Sequence, residues 1–222
     1  MKRIVLTLMS VSFLSACNAS SMNETSMQGS APERTYQESF GLLIVTGLPS
    51  NGDLATYPSA VRATTREFIQ RNENASPNFN GPTGSATYKG SFAAVVVDDD
   101  TPANIEQGFL TGDVTLNANF IESAMSGSVN GTVTEIAATL VDGGAVRTSG
   151  NLDISLGVNN KALGGQLSGD LIVDGEDIVI KATVAGTLAG EFGDEAFGSF
   201  LGTATNPDGR DRLTGVIVTR RQ

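Results

Sequence analysis

The stretch Phe109–Val133, FLTGDVTLNANFIESAMSGSVNGTV, decides the fold. Taken in steps of two, Leu110, Gly112, Val114, Leu116, Ala118 and Phe120 fall on one side. Thr111, Asp113, Thr115, Asn117 and Asn119 fall on the other. Side chains on a strand point alternately to its two faces, so this is a strand with one buried and one wet face. Residues 121–124 turn the chain. Met125, Gly127, Val129, Gly131 and Val133 then resume the apolar face, opposite Ser126, Ser128, Asn130 and Thr132. The stretch predicts an antiparallel hairpin.

Working outward, the same alternation recurs. Ala86–Val96 precedes the hairpin; Leu152–Leu156, Leu167–Val173, Ile178–Leu188, Gly198–Ala204 and Leu213–Ile217 follow it. Turn-forming residues separate them at Asp142-Gly143-Gly144, Gly157–Asn160, Asp174-Gly175, Gly193-Asp194 and Asn206–Gly209. No helix-period segment of useful length lies between, which argues against a parallel sheet with crossover helices. The expectation is an all-β, eight-stranded antiparallel up-and-down β-barrel over residues 84–222. An open two-sheet sandwich is the alternative, because it produces similar alternation. Gly90, Gly112, Gly127, Gly169, Gly202 and Gly215 share the apolar face. A small closed barrel has a narrow interior and sharply coiled strands, and glycine suits both.

The N-terminal third is less regular. Lys2 and Arg3 precede an apolar run, Ile4–Leu14, and then Leu14-Ser15-Ala16-Cys17. This resembles a bacterial lipoprotein signal peptide, which implies removal of residues 1–16 and lipidation of Cys17. Asn18 stands where an aspartate would favour inner-membrane retention, so the resemblance implies the outer membrane. Buried acyl chains contribute about 0.8 kcal/mol per CH₂ to such an anchor. Residues 17–35 are small and polar and read as a flexible tether. Residues 36–83 read as a small irregular addition; within them Val61–Arg71 fits a short helix or an exposed strand equally well.

Composition narrows the chemistry. The chain has 222 residues, no His, no Trp and one Cys. Imidazole-dependent metal sites and nucleophile–His pairs are therefore excluded. Its formal charge is −10, and near −12 once Lys2 and Arg3 are lost, which disfavours nucleic acid as a partner. No nucleophile–base pair or paired carboxylate stands out, so no enzyme and no cofactor are expected. Asp98, Asp99 and Asp100, with Glu106, form the sharpest charge cluster; a solvated acidic loop is preferred over a Ca²⁺ site. Arg210 and Arg212 follow the Asn206–Gly209 turn and are loop candidates for recognition. Arg62, Arg66 and Arg71 read as a solvated face before a partner patch. Tyr88 and Phe92 are expected to fill the barrel.

Four segments carry a family resemblance: Ala86–Gly90 (ATYKG), Leu110–Phe120 (LTGDVTLNANF), Met125–Gly131 (MSGSVNG) and Glu191–Gly202 (EFGDEAFGSFLG). Together they resemble the barrel domain of transferrin-binding-protein-B-like surface lipoproteins of Gram-negative bacteria. Asn119 stands where that family usually has Asp before Phe120, and Phe192-Gly193-Asp194 departs from the usual phenylalanine–glycine–proline. The resemblance implies a lipid-anchored outer-membrane protein, monomeric, that binds a protein partner through its loops. A lipocalin-like carrier of a small ligand and a structural envelope lipoprotein are the alternatives.

Overall fold

The computed structural model describes residues 57–75, 79–97, 107–121 and 126–222. They form one helix, α1 (Ser59–Glu73), and a sheet of ten strands. These are β1 (Gly84–Val97), β2 (Gln107–Phe120), β3 (Ser126–Leu140), β4 (Ala145–Val146), β5 (Thr148–Gly150), β6 (Leu152–Asn159), β7 (Ala162–Val173), β8 (Glu176–Ala189), β9 (Glu195–Thr205) and β10 (Arg210–Arg221). The long strands run β2-β1-β10-β9-β8-β7-β6-β3, and β3 pairs back onto β2, all antiparallel. The eight long strands therefore close into an up-and-down barrel, which removes the open sandwich from consideration. The two short strands patch the wall above β6: β4 pairs β3, and β5 pairs β7.

The predicted inner face is the inner face. Tyr88, Phe92, Leu116, Val129, Leu152, Leu167, Ile180, Phe200 and Leu213 all belong to one buried cluster within the cylinder. Phe92 and Phe200 stack almost parallel, 5.2 Å between centroids, across the middle of it. The Asp174-Gly175 connection has positive φ at both residues (53° and 91°), the two-residue hairpin turn whose twist matches the strands. The turn expected at Gly157–Asn160 falls later: β6 runs on to Asn159, and Asn160 (φ 57°) with Lys161 makes the connection.

One strand is longer than its alternation suggests. β3 extends beyond Val133 to Leu140. Val129 and Val133 point inward at odd positions, whereas Ile136 and Ala138 point inward at even ones. A β-bulge makes this possible, because two residues then face one and the side-chain phase shifts. Register slips between Thr111 and Asp113, so Glu135 and Ile136 face Gly112 alone, and Glu135 takes φ 51°. A Cβ on Gly112 would sit 2.8 Å from Val133 Cγ1 and 2.9 Å from the Thr134 carbonyl oxygen. Gly112 is the space the bulge occupies.

The Val61–Arg71 stretch is helical, within α1. Val61, Thr64, Thr65, Phe68 and Arg71 form its buried stripe, at the i, i+3, i+4, i+7 spacing of one helix face. The helix lies on the outside of the barrel over Ala93, Val95, Phe197, Val216 and Val218, with Tyr57 against Phe109 (4.7 Å) and Phe68 edge-on to Phe197 (5.9 Å). Asn74 ends it, donating its backbone N–H and side-chain amide to the Gln70 carbonyl. Arg71 corrects the reading of a solvated arginine face. It is buried, donates to the Thr219 carbonyl (3.0 Å), and pairs with Glu67 and Glu195, because the helix face it shares with Phe68 turns it onto β10. Arg66 is exposed.

At the base of the barrel, where β1 and β9 begin, β1 and the segment before it are tied to the β8–β9 connection. Tyr88 donates its phenol O–H to the Gly193 carbonyl (2.7 Å). Asn80 donates its backbone N–H to Glu191 O (2.8 Å), and Gly193 lies under Pro82. Burial pushes the Tyr88 phenol up to about 12, with Arg221 opposing and Asp194 adding to the rise. The sign follows from linkage: between pH 10 and 12 the unfolded chain releases this proton and the folded one keeps it, so stability falls as pH rises. Wild type is expected to lose stability relative to Tyr88→Phe across that window, by denaturant melts at pH 9, 10, 11 and 12. Parallel curves for the two proteins would show that the phenol is not held this way. At pH 7, Tyr88→Phe leaves a buried carbonyl without its donor and costs about 1–3 kcal/mol.

Candidate binding surfaces

The inside of the barrel offers no room for a ligand in its lower half. The void bounded by Leu116, Ile154, Leu163, Val184, Phe197 and Ile217 amounts to about 10 Å³, the space of one water at most. Tyr88 and Phe92 fill the barrel as the sequence predicts, both fully buried.

The upper end carries the connections β3–β4, β7–β8 and β9–β10. Of the recognition candidates, Asp98, Asp99, Asp100 and Glu106 lie outside the described residues, as does Cys17. Arg210 and Arg212 do not sit on the turn itself. They occupy alternate positions of β10, both exposed on the outer wall, Arg210 paired in register with Thr205 and Arg212 with Thr203. The turn before them is built from its own residues: Asn206 Oδ1 accepts from the Asp208 and Gly209 backbone N–H groups (3.0 and 2.7 Å). Asparagine favours that local bond, so this tip is accounted for as a turn. Among the described residues, no three carboxylate or thiol groups come together in a metal-binding arrangement.

The outer wall to one side of α1 holds a feature the sequence reading did not single out. Gln166, Ser168, Lys181, Thr183, Leu201, Thr203 and Arg210 line a trough of about 530 Å³ on β7, β8 and β9 and the start of β10. The ladder explains the grouping. Ser168, Lys181, Thr203 and Arg212 stand side by side across four strands, and Asp170, Val179, Thr205 and Arg210 form the next row. Its floor is backbone at Gly202, where β8 and β9 approach closely. The only available signal was the outward half of each alternation, and outward polar residues on a strand ordinarily mean water. The trough depends on strand order, which alternation does not encode.

No family model matches this chain, and no curated protein matches it in sequence.

Proposed function

We propose that the protein is an outer-membrane lipoprotein, held by lipid on Cys17, whose barrel acts as a rigid platform for binding a protein partner through its outer surface and upper loops. The packed lower half and middle of the interior carry this reading. A lipocalin-like carrier needs an enclosed apolar space, and there the stacked Phe92–Phe200 pair and the surrounding leucines occupy it. What the barrel binds is then met on the outside, where loops on a rigid scaffold commonly serve recognition. The segment around Cys17, with its basic start, apolar run and small residues, supports the anchor. The likeness to transferrin-binding-protein-B-like barrels supports the same reading, and the closed eight-stranded architecture is compatible with it.

The anchor is tested first. Cys17→Ala is expected to move the protein from the membrane fraction to the soluble fraction of fractionated cells; retention in the membrane pellet overturns the anchor. Protease added to intact cells is expected to cut the displayed domain, whereas protection until lysis places it on the inner leaflet. Partner binding is tested by affinity capture on the immobilised protein. A captured protein must lose binding when residues 98–106 are replaced by a Gly-Ser linker, and capture indifferent to that replacement counts against the loops.

A further inference from the structure

The trough on β7–β10 is a binding site for an acidic saccharide, we propose, distinct from the loops at the barrel end. Three observations converge on it. First, it concentrates positive charge on a strongly acidic chain. Lys181 and Arg210 line it and Arg212 stands in the Lys181 row, with Asp153 and Asp170 at its β6–β7 side, in a protein with formal charge −10. Lys181 and Arg210 are both exposed, in contrast to Arg71, which is buried and held by Glu67 and Glu195. An exposed cation lining a trough is available to an anion, and a charge-assisted bond is about twice as strong as a neutral one.

Second, the remaining lining is hydroxyl and amide: Gln166, Ser168, Thr183 and Thr203. These groups both donate and accept. They match a ligand whose own groups do both, which sugar hydroxyls do and a run of carboxylates does not. Leu201, 42 % exposed at the same trough, offers methyl groups to the C–H face of a ring. Third, β8, β9 and β10 are each paired on both sides, so at the trough a peptide cannot add to the sheet by backbone pairing. The wall can be met only side chain by side chain. A volume of about 530 Å³ suits a ligand of two or three sugar rings, within the ordinary range for small-molecule sites. The occupant this selects is a carboxylate-bearing oligosaccharide: carboxylates on Lys181 and Arg210, hydroxyls on the threonines and Gln166.

The experiment is calorimetric titration of the full chain with hexagalacturonate, with neutral maltohexaose and with hexaglutamate. Hexagalacturonate is expected to bind, more weakly as salt rises, and the other two to bind at least tenfold more weakly or not at all. Lys181→Gln and Arg210→Gln are each expected to weaken binding about tenfold, the change of one charge-assisted bond. Both side chains are exposed, so the variants are expected to keep the wild-type Tm. Lys89→Gln, an exposed cation on β1, serves as control and is expected to change nothing. Absence of hexagalacturonate binding, equal binding of hexaglutamate, or equal loss in Lys89→Gln each overturns the proposal. Because the titration reads a saccharide on Lys181 and Arg210 and not capture through residues 98–106, its failure leaves partner binding through the loops untouched.

Discussion

Phe92→Ala is expected to destabilise the barrel by about 3–5 kcal/mol, a fall in Tm of roughly 10 °C for a domain of this size. Phe92 is fully buried and lies flat against Phe200, with interplanar angle 3°. Removing it loses the transfer free energy of a phenyl group and leaves a cavity. The surroundings cannot collapse into that cavity, because its walls are strands hydrogen-bonded on both sides: β1 to β2 and β10, and β9 to β8 and β10. Phe192→Ala is the matched control. That ring is 52 % exposed on the β8–β9 connection, and the expected change is within about 0.5 kcal/mol. The comparison also bears on function. A cavity opened beside Phe200 is apolar and is expected to take up benzene, raising the Tm of the variant but not of wild type. If wild type responds equally, the interior has more free volume than its packing indicates, and the small-ligand carrier returns as a functional reading.

The inward face was legible because each strand of the hairpin keeps one phase for many residues: Leu110 to Phe120 never breaks it. What was not legible has three physical causes. The second half of β3 was missed because the bulge at Glu135–Ile136 reverses the phase, and a period-two pattern cannot survive an inserted residue. The helix is ambiguous in the sequence because Thr64 and Thr65 occupy two of the five buried positions on its stripe, which dilutes the apolar signal at the i+3 and i+4 positions. The site of that helix on the barrel was visible in retrospect. Ala93–Val97 and Gly215–Val218 are unbroken apolar runs, the mark of strands buried on both faces, and these are the strands α1 covers. The trough belongs to a fourth category. Lys181 and Arg210 are 29 positions apart and come to line one trough only through the pairing of β8, β9 and β10.

Gly202→Ala, a change of one methyl group, is expected to cost more than most core truncations. A Cβ at Gly202 would lie 2.0 Å from the Lys181 carbonyl oxygen and 2.4 Å from the Ala182 Cα. Both obstacles are backbone of β8, and β8 is paired to β7 as well as to β9. A side-chain obstacle can rotate away; a backbone obstacle moves only if the ladder moves. Overpacking typically costs about 1–3 kcal/mol where neighbours can adjust, and this position is expected at or above the top of that range. Gly164 provides the contrast within the same barrel. It lies on β7 at an exposed outward position, with nothing within 4 Å of the site of a Cβ. Gly164→Ala is expected to be neutral or to stabilise by up to about 1 kcal/mol, since it only removes freedom from the unfolded chain. Denaturant melts of the two variants decide the matter. Equal effects would mean that the glycines are tolerated passengers of a relaxed sheet. A large loss confined to Gly202 means that the coil of β8 over β9 depends on an inner wall without a side chain there. The same close approach brings Lys181 and Thr203 together at the floor of the trough, so a Gly202→Ala protein that still folds is expected to bind hexagalacturonate more weakly.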